Sequence, residues 1–379
     1  MPKVKPTKQD TEYGSQPKTH NKFVSLFCII KMRVAAFWRR NILNRTICVL
    51  LSFIIILTSG AYGIAQWYIY KHRNDPLTIG ATFIPDYARE FGLDPQQTMQ
   101  AMITDLGIRQ FRLVSYWDKT EPTEGSYDFN ELDWQFKMAE QSGSTVSLAI
   151  GLRQPRWPEC HGPKWAMSQD MSVWAPKLKV YMGAVISRYK NSPALISYQL
   201  ENEFFLSVFG ICPDFSRSRL VDEFNYVKSL DKTHPVVISR SNNWVGLPVG
   251  DPQPDEFGIS VYKRIWDKTV TKRYFEYPLP AWFYASLAGG GEILTGKNIM
   301  IHELQTEAWL PDGFGTLKDA PLSESYKSLS PERLKSRIDY GVATGIKSID
   351  LWGVEWWYYM KIHGHSEFWE QAKVFINNQ

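Results

Sequence analysis

The chain has 379 residues, 44% of them hydrophobic and 14% aromatic, with 15 Trp. A chain so apolar is not a disordered one, and its length suits one large domain or two small ones. The formal charge of +4 is unevenly spread: residues 1–45 carry ten basic and two acidic groups, whereas residues 74–379 carry 31 basic and 37 acidic ones, a net −6 that argues against a nucleic-acid partner.

Taken in chain order, residues 1–46 form a basic tail, and Ile47–Tyr70 carry no charge over 24 positions. At 1.5 Å per residue that run is long enough to cross a hydrocarbon core of roughly 30 Å. The reading is a transmembrane signal anchor over 47–70 with membrane lipid as its partner, and Trp67, Tyr68 and Tyr70 at an interfacial belt. The basic flank places the N-terminus in the cytoplasm and the remainder of this single-pass chain outside. A cleaved signal peptide is the competing reading; the long polar lead and the length of the apolar run speak against it. Residues 71–76 then form a short stalk, and 77–379 the outer domain.

In that domain short apolar runs alternate with helical stretches. The predicted strands are Thr78–Phe83, Gln110–Val114, Thr145–Ile150, Leu195–Leu200, Val236–Ser239, Gly258–Val261, Asn298–His302 and Ser348–Trp352. Asp94 before Pro95 and Ser330 before Pro331 are helix N-cap signals. Eight near-continuous apolar strands in βα alternation predict a single (β/α)8 TIM barrel. A doubly wound open sheet is the alternative, disfavoured because no Gly-rich phosphate loop follows the first strand. Cys160 and Cys212 both fall in loops after strands, where either a disulfide or two free thiols fits; neither a metal site nor a cofactor is implied.

The active face of a barrel lies where strands end and βα loops begin. Arg112, Arg153, the group Glu201-Asn202-Glu203, Tyr262, Glu303, Trp352 and Glu355 all fall at that rim. Cleavage of a glycosidic bond needs a proton donor and a second carboxylate acting as nucleophile or base. Strands four and seven end in Glu203 and Glu303, which can face one another across the mouth. Sugars stack their C–H faces on aromatic rings, and the same loops hold Tyr116, Trp117, Trp157, Trp165, Trp244, Trp266, Trp309, Trp356 and Trp357.

Asn202-Glu203, Arg112 in FRLVSYW, the segment WDKTEPTEGSYDFNELD from Trp117 to Asp133, Tyr262 in ISVYKRIW, Glu303 in IMIHELQTEAW and Trp352 in DLWGVEWW occur in one order on these strands. In this the chain resembles the clan of retaining (β/α)8 glycoside hydrolases that includes cellulase-like, β-mannanase-like and β-galactosidase-like members. The resemblance covers nearly all of residues 77–360. It implies Glu203 as general acid/base, Glu303 as nucleophile, Asn202 on the sugar 2-hydroxyl, Arg112 and Tyr262 holding Glu303 ionised, and Trp352 as the floor under the reacting sugar. Trp117 and Trp309 count among the substrate-binding aromatics. His302 either bonds substrate or fixes a loop.

Glu307 is a rival nucleophile, past the strand. Glu201 is a supporting or substrate-side group, whereas Glu159 and Glu355 either contact substrate hydroxyls or are surface groups. Glu121-Pro122 is expected to shape a loop. Phe204 stands where the clan commonly has Pro after the acid/base, which weakens assignment to one family. The aromatic segment Lys263–Lys297 is too long for a simple link and is a lid, a subsite wall or a membrane-facing surface. The function expected is a membrane-anchored retaining β-glycosidase acting on an extracytoplasmic oligo- or polysaccharide. Transglycosylation on the same fold and a non-catalytic glycan-binding barrel are the alternatives.

Overall fold

The computed structural model describes residues 21–39, 41–241 and 250–378, so that the start of the basic tail and Trp244 lie outside the described residues. The chain falls into two compact units, Met1–Gly60 and Ala61–Gln379.

The first unit holds the helix Asn21–Trp38 and most of a second helix, Ile42–Lys71. The Asn44 side chain donates to Phe37 O at 3.0 Å across the turn between them. Ile42–Lys71 is the one described helix long and apolar enough to cross a membrane. Its 30 residues span about 45 Å, and the side chains from Val49 to Leu57 that would face lipid are exposed.

The second unit is a closed barrel. Strands β1 (Thr78–Phe83), β2 (Gln110–Val114), β3 (Thr145–Ile150), β4 (Leu195–Leu200), β5 (Val236–Ser241) and β6 (Glu256–Val261) follow in chain order. A hairpin of β7 (Arg264–Asp267) and β8 (Arg273–Glu276) intervenes before β9 (Asn298–Gln305) and β10 (Ser348–Trp352) complete the barrel. The eight barrel strands pair in parallel, with β10 closing on β1 through Thr78↔Ser348 to Ala81↔Leu351. Apolar strands form such a sheet because helices cover its outer face, and leave few polar positions except inside the barrel.

Two N-caps do as their sequences predict: Asp94 accepts from Gln97 N at 2.8 Å, and Ser330 accepts from Arg333 N. Lys263–Lys297 resolves into the β7–β8 hairpin and the helix Ala281–Thr295, which packs on the end of the long apolar helix. Ala61–Lys71 therefore lie against the barrel, over residues that the sequence reading assigns to the outer end of the span and the first residue of the short stalk.

Polar side chains line the barrel interior from the N-terminal ends of its strands upward. Gln110 donates to Asp350 at 2.8 Å, Ser197 to Ser147 at 2.8 Å, and His302 meets Ser239 at 2.9 Å. Gly258 makes room for this layer: a Cβ there would stand 2.7 Å from the His302 ring.

Candidate active site

The first carboxylate comes from β4. Past Leu200 the chain leaves the extended conformation, and Glu201 and Glu203 both take positive φ, +53° and +43°. Side chains other than Gly adopt this region at a cost of order 1 kcal/mol or more, so the surrounding bonds must hold it. Arg153, on the loop after β3, supplies them: its Nε donates to Asn202 O at 2.6 Å, while Asn202 N donates to Arg153 O at 2.7 Å.

Glu201 turns away from the mouth. Its carboxylate accepts from Leu152 N at 2.6 Å, Arg153 N at 3.1 Å and the Arg219 guanidinium at 3.0 Å, fully buried. It is a supporting group for the β3 and β4 loops and is not open to substrate. Glu203 lies beside Ser260 of β6, 6% exposed. Burial first, then the negative charges of Glu303 and Glu159, push its carboxyl up to about 8, against a bond from Ser260 that favours the anion.

The second carboxylate comes from β9. Glu303 accepts from Arg112 Nη2 at 2.6 Å on one oxygen and from the Tyr262 hydroxyl at 2.8 Å on the other. Arg112 also donates through Nη1 to His302 O, at 2.6 Å, and to His302 Nδ1. Since a guanidinium only donates, His302 Nδ1 is the bare nitrogen and Nε2 carries the hydrogen toward Ser239. Burial and the Arg112 charge hold this imidazole neutral, far below its ordinary range. Of the two roles open to His302 in the sequence, the geometry favours positioning: it is wholly enclosed and props Arg112.

Asn202 sits between these centres. Its Oδ1 accepts from Gln199 at 2.9 Å and its Nδ2 donates to Glu159 at 3.1 Å. Glu159 is 3% exposed, and burial raises its carboxyl to about 7 despite the Arg153 guanidinium nearby. The loop that carries it is pinned to the β4 loop by a disulfide between Cys160 and Cys212.

Trp352, at the end of β10, donates through its indole to Glu307 Oε1 at 2.8 Å. Glu307 also accepts from Tyr87 at 2.8 Å and pairs with Arg156 at 3.0 Å, so the rival nucleophile is occupied by three donors. Arg156 lies flat between the Tyr87 ring, at 3.4 Å, and the Trp352 ring, at 4.4 Å. Trp309 stands edge-on to Tyr262, half-buried at the mouth.

Arg112, Asn202, Glu203, Tyr262, His302, Glu303 and Trp352 thus gather at one rim. Trp117 does not join them. It is fully buried, stacked on Tyr181 at 5.8 Å and bonded to Glu121 at 2.7 Å. With Gly125 N donating to the other Glu121 oxygen at 2.8 Å, the Trp-x-x-x-Glu-Pro motif shapes its loop, and the substrate-binding reading of Trp117 is corrected to a core one. Trp356, Trp357 and Glu355 are likewise buried, Glu355 accepting from Ile84 N at 2.7 Å.

A family model described as β-galactosidase, of glycoside hydrolase family 42, matches residues 90–234. Mannan endo-1,4-β-mannosidase A of Podospora anserina is 29% identical over 143 residues, covering 35% of this chain and 36% of that protein. The probable mannan endo-1,4-β-mannosidase F of Aspergillus flavus is 34% identical over 82 residues, 22% of this chain and 17% of that one. The chain thus spans well under half the length of these relatives. A GH5_18 structure from Bifidobacterium longum subsp. infantis superposes with a TM-score of 0.50 at 14% identity, over 78% of each chain, a likeness of fold. The matches bear out the resemblance to (β/α)8 glycoside hydrolases read from the sequence.

Proposed function

We propose that this protein is a retaining β-glycosidase, anchored in a membrane by the part of the helix Ile42–Lys71 that precedes Ala61, with the barrel on the extracytoplasmic side. The observation that carries the reading is the unlike treatment of two facing carboxyls. Glu203 is buried and keeps its proton into the neutral range; Glu303 has both oxygens engaged by donors that bind an anion.

Glu203 then protonates the leaving oxygen while Glu303 attacks the anomeric carbon from the opposite face, giving a covalent glycosyl-enzyme. Esterification removes the Glu303 charge, one of the two negative charges raising Glu203, so Glu203 gives up its proton more readily and serves as base for the incoming water. Asn202, oriented by Gln199 and Glu159, offers its remaining amide hydrogen to the 2-hydroxyl, and Trp352 lies beneath the ring.

The test is the full-length protein in detergent against a panel of aryl β-glycosides and β-glycans, with the first-formed anomer read by NMR. A β-anomer from a β-glycoside supports the reading. An α-anomer, or no turnover of any substrate by folded protein, refutes it.

A further inference from the structure

The end of the apolar helix runs beside the helix Ala281–Thr295 in the same direction. Tyr62 meets Trp282 edge-on at 5.7 Å, and His72 Nε2 reaches Glu292 at 2.9 Å ten residues further along each helix. Between them Gly289 allows close approach, since a Cβ there would lie 2.9 Å from Ile64 Cγ2 and 3.0 Å from Tyr68 Cβ.

The polarity of the barrel fixes which end is which. Lys263 follows Tyr262 at the rim, and its Nζ donates to Leu279 O at 2.8 Å, so the helix at 281 starts beside the catalytic face. It ends at Thr295, just before β9 begins at the opposite face. Ile69 lies at that opposite face too, where a Cβ on Gly345 would stand 2.9 Å from its Cγ1 ahead of β10. Residues 61–71 therefore descend from the catalytic rim to the far end, and the chain enters the barrel unit at the rim. What precedes this entry point is the uncharged run of the apolar helix.

The rim loops carry a second, independent feature. Their outermost side chains include large apolar ones, Val208 at 90% exposed, Val270 at 84%, Ile211 at 66% and Trp157 at 56%. Val270 is the tip of the β7–β8 hairpin, flanked by exposed Lys268, Lys272 and Arg273. An apolar tip among basic residues, as at Val270, suits a headgroup layer containing anionic lipid, and the apolar tip at Val208 and Ile211 suits the same layer by its exposed side chains.

We propose that the catalytic mouth faces the bilayer, with the loops around Val208 and Val270 seated in its headgroup layer, and that the substrate is a glycan carried on a lipid of that same membrane. The substrate half rests on the glycosidase reading above, and the docking half on the apolar helix being an anchor.

The experiment uses the full chain with Cys28→Ser and Cys48→Ser, reconstituted in phosphatidylcholine–phosphatidylglycerol vesicles. A fluorophore is placed on Val208→Cys, Val270→Cys or, as the far-end control, Val374→Cys. Doxyl-labelled lipid quenches positions 208 and 270 and spares 374 if the mouth faces the membrane; quenching at 374 alone, or at none, overturns the docking. In the second arm, β-glucosyl-, β-galactosyl- and β-mannosyl-diacylglycerol in the same vesicle are compared with the matching p-nitrophenyl glycosides in solution. The pair Val208→Glu and Val270→Glu is expected to lower cleavage of a lipid-borne glycoside about tenfold, leaving the soluble one unchanged. An equal loss on both, or none on either, overturns the lipid-borne substrate. Labels that report docking in a protein that cleaves no glycoside would sink the glycosidase reading and leave the orientation standing.

Discussion

Arg112 Nη2 lies 2.6 Å from Glu303 Oε1, with 1% and 4% of the two side chains exposed. A sealed ion pair of this kind is marginal as a source of stability, yet loss of one partner strands the other charge at a cost of about 3–5 kcal/mol. Arg112→Met is expected to lower the free energy of unfolding by an amount of that order, with a matching fall in melting temperature, and to abolish turnover. Arg112→Lys keeps the charge but cannot serve Glu303 and His302 together, so it retains stability better than activity. Differential scanning calorimetry beside kcat/KM separates the two.

Glu203 holds its proton in the fold at pH values where the unfolded chain would have lost it. Because its folded-state pKa is raised, its contribution to stability is full below the ordinary glutamate range and declines as pH rises, being lost by about pH 8. Turnover of substrates with poor leaving groups holds across that window and falls only as pH rises through about 8, where folded Glu203 gives up its proton. Glu203→Gln, uncharged throughout, flattens the alkaline side of the thermal-stability profile and loses several orders of magnitude in kcat. An unchanged alkaline limb in this variant would place the titration elsewhere.

Glu159 acts on the reacting atoms in two ways, through Asn202, to which it bonds at 3.1 Å, and through its charge, which helps to raise the Glu203 carboxyl. Glu159→Ala frees the Asn202 carboxamide to rotate, and the loss is expected in kcat and kcat/KM alike, because the 2-hydroxyl bond strengthens in the transition state. A 2-deoxy substrate would show no further loss in the variant. An effect on KM alone would mean that Glu159 binds sugar directly.

The Cys160–Cys212 disulfide closes a loop of 52 residues, for which chain entropy gives at most about 4 kcal/mol. Paired Cys160→Ser and Cys212→Ser are expected to melt earlier and to lose activity as well, since the bridge joins the loop of Glu159 to that of Glu203. Urea unfolding with and without reductant measures the first; initial rates measure the second.

Much of this was legible in the sequence. The eight barrel strands were placed to within a few residues because buried parallel strands are continuous apolar runs, and the rim followed from where those runs end in polar groups. The Glu203, Glu303, Arg112 and Tyr262 set came from the resemblance, and the fold brings it together. What escaped was decided by long-range packing. Trp117 was read as lining the mouth because local pattern does not distinguish an aromatic in a loop from one folded back onto Tyr181. Arg156 went unremarked since its neighbours Tyr87, Glu307 and Trp352 lie on three other segments. The β7–β8 hairpin was missed because its strands are four residues each, too short for a pattern.

The assignment of Glu203 and Glu303 is tested most directly by azide rescue on whichever activated aryl β-glycoside the full-length protein cleaves. With Glu203→Ala, the glycosyl-enzyme still forms and azide resolves it in place of water, so NMR should show a β-glycosyl azide. With Glu303→Gly, azide fills the space of the lost nucleophile and should yield the α-glycosyl azide. The reverse pairing of products, or rescue of a Glu307 variant in place of Glu303, would contradict it.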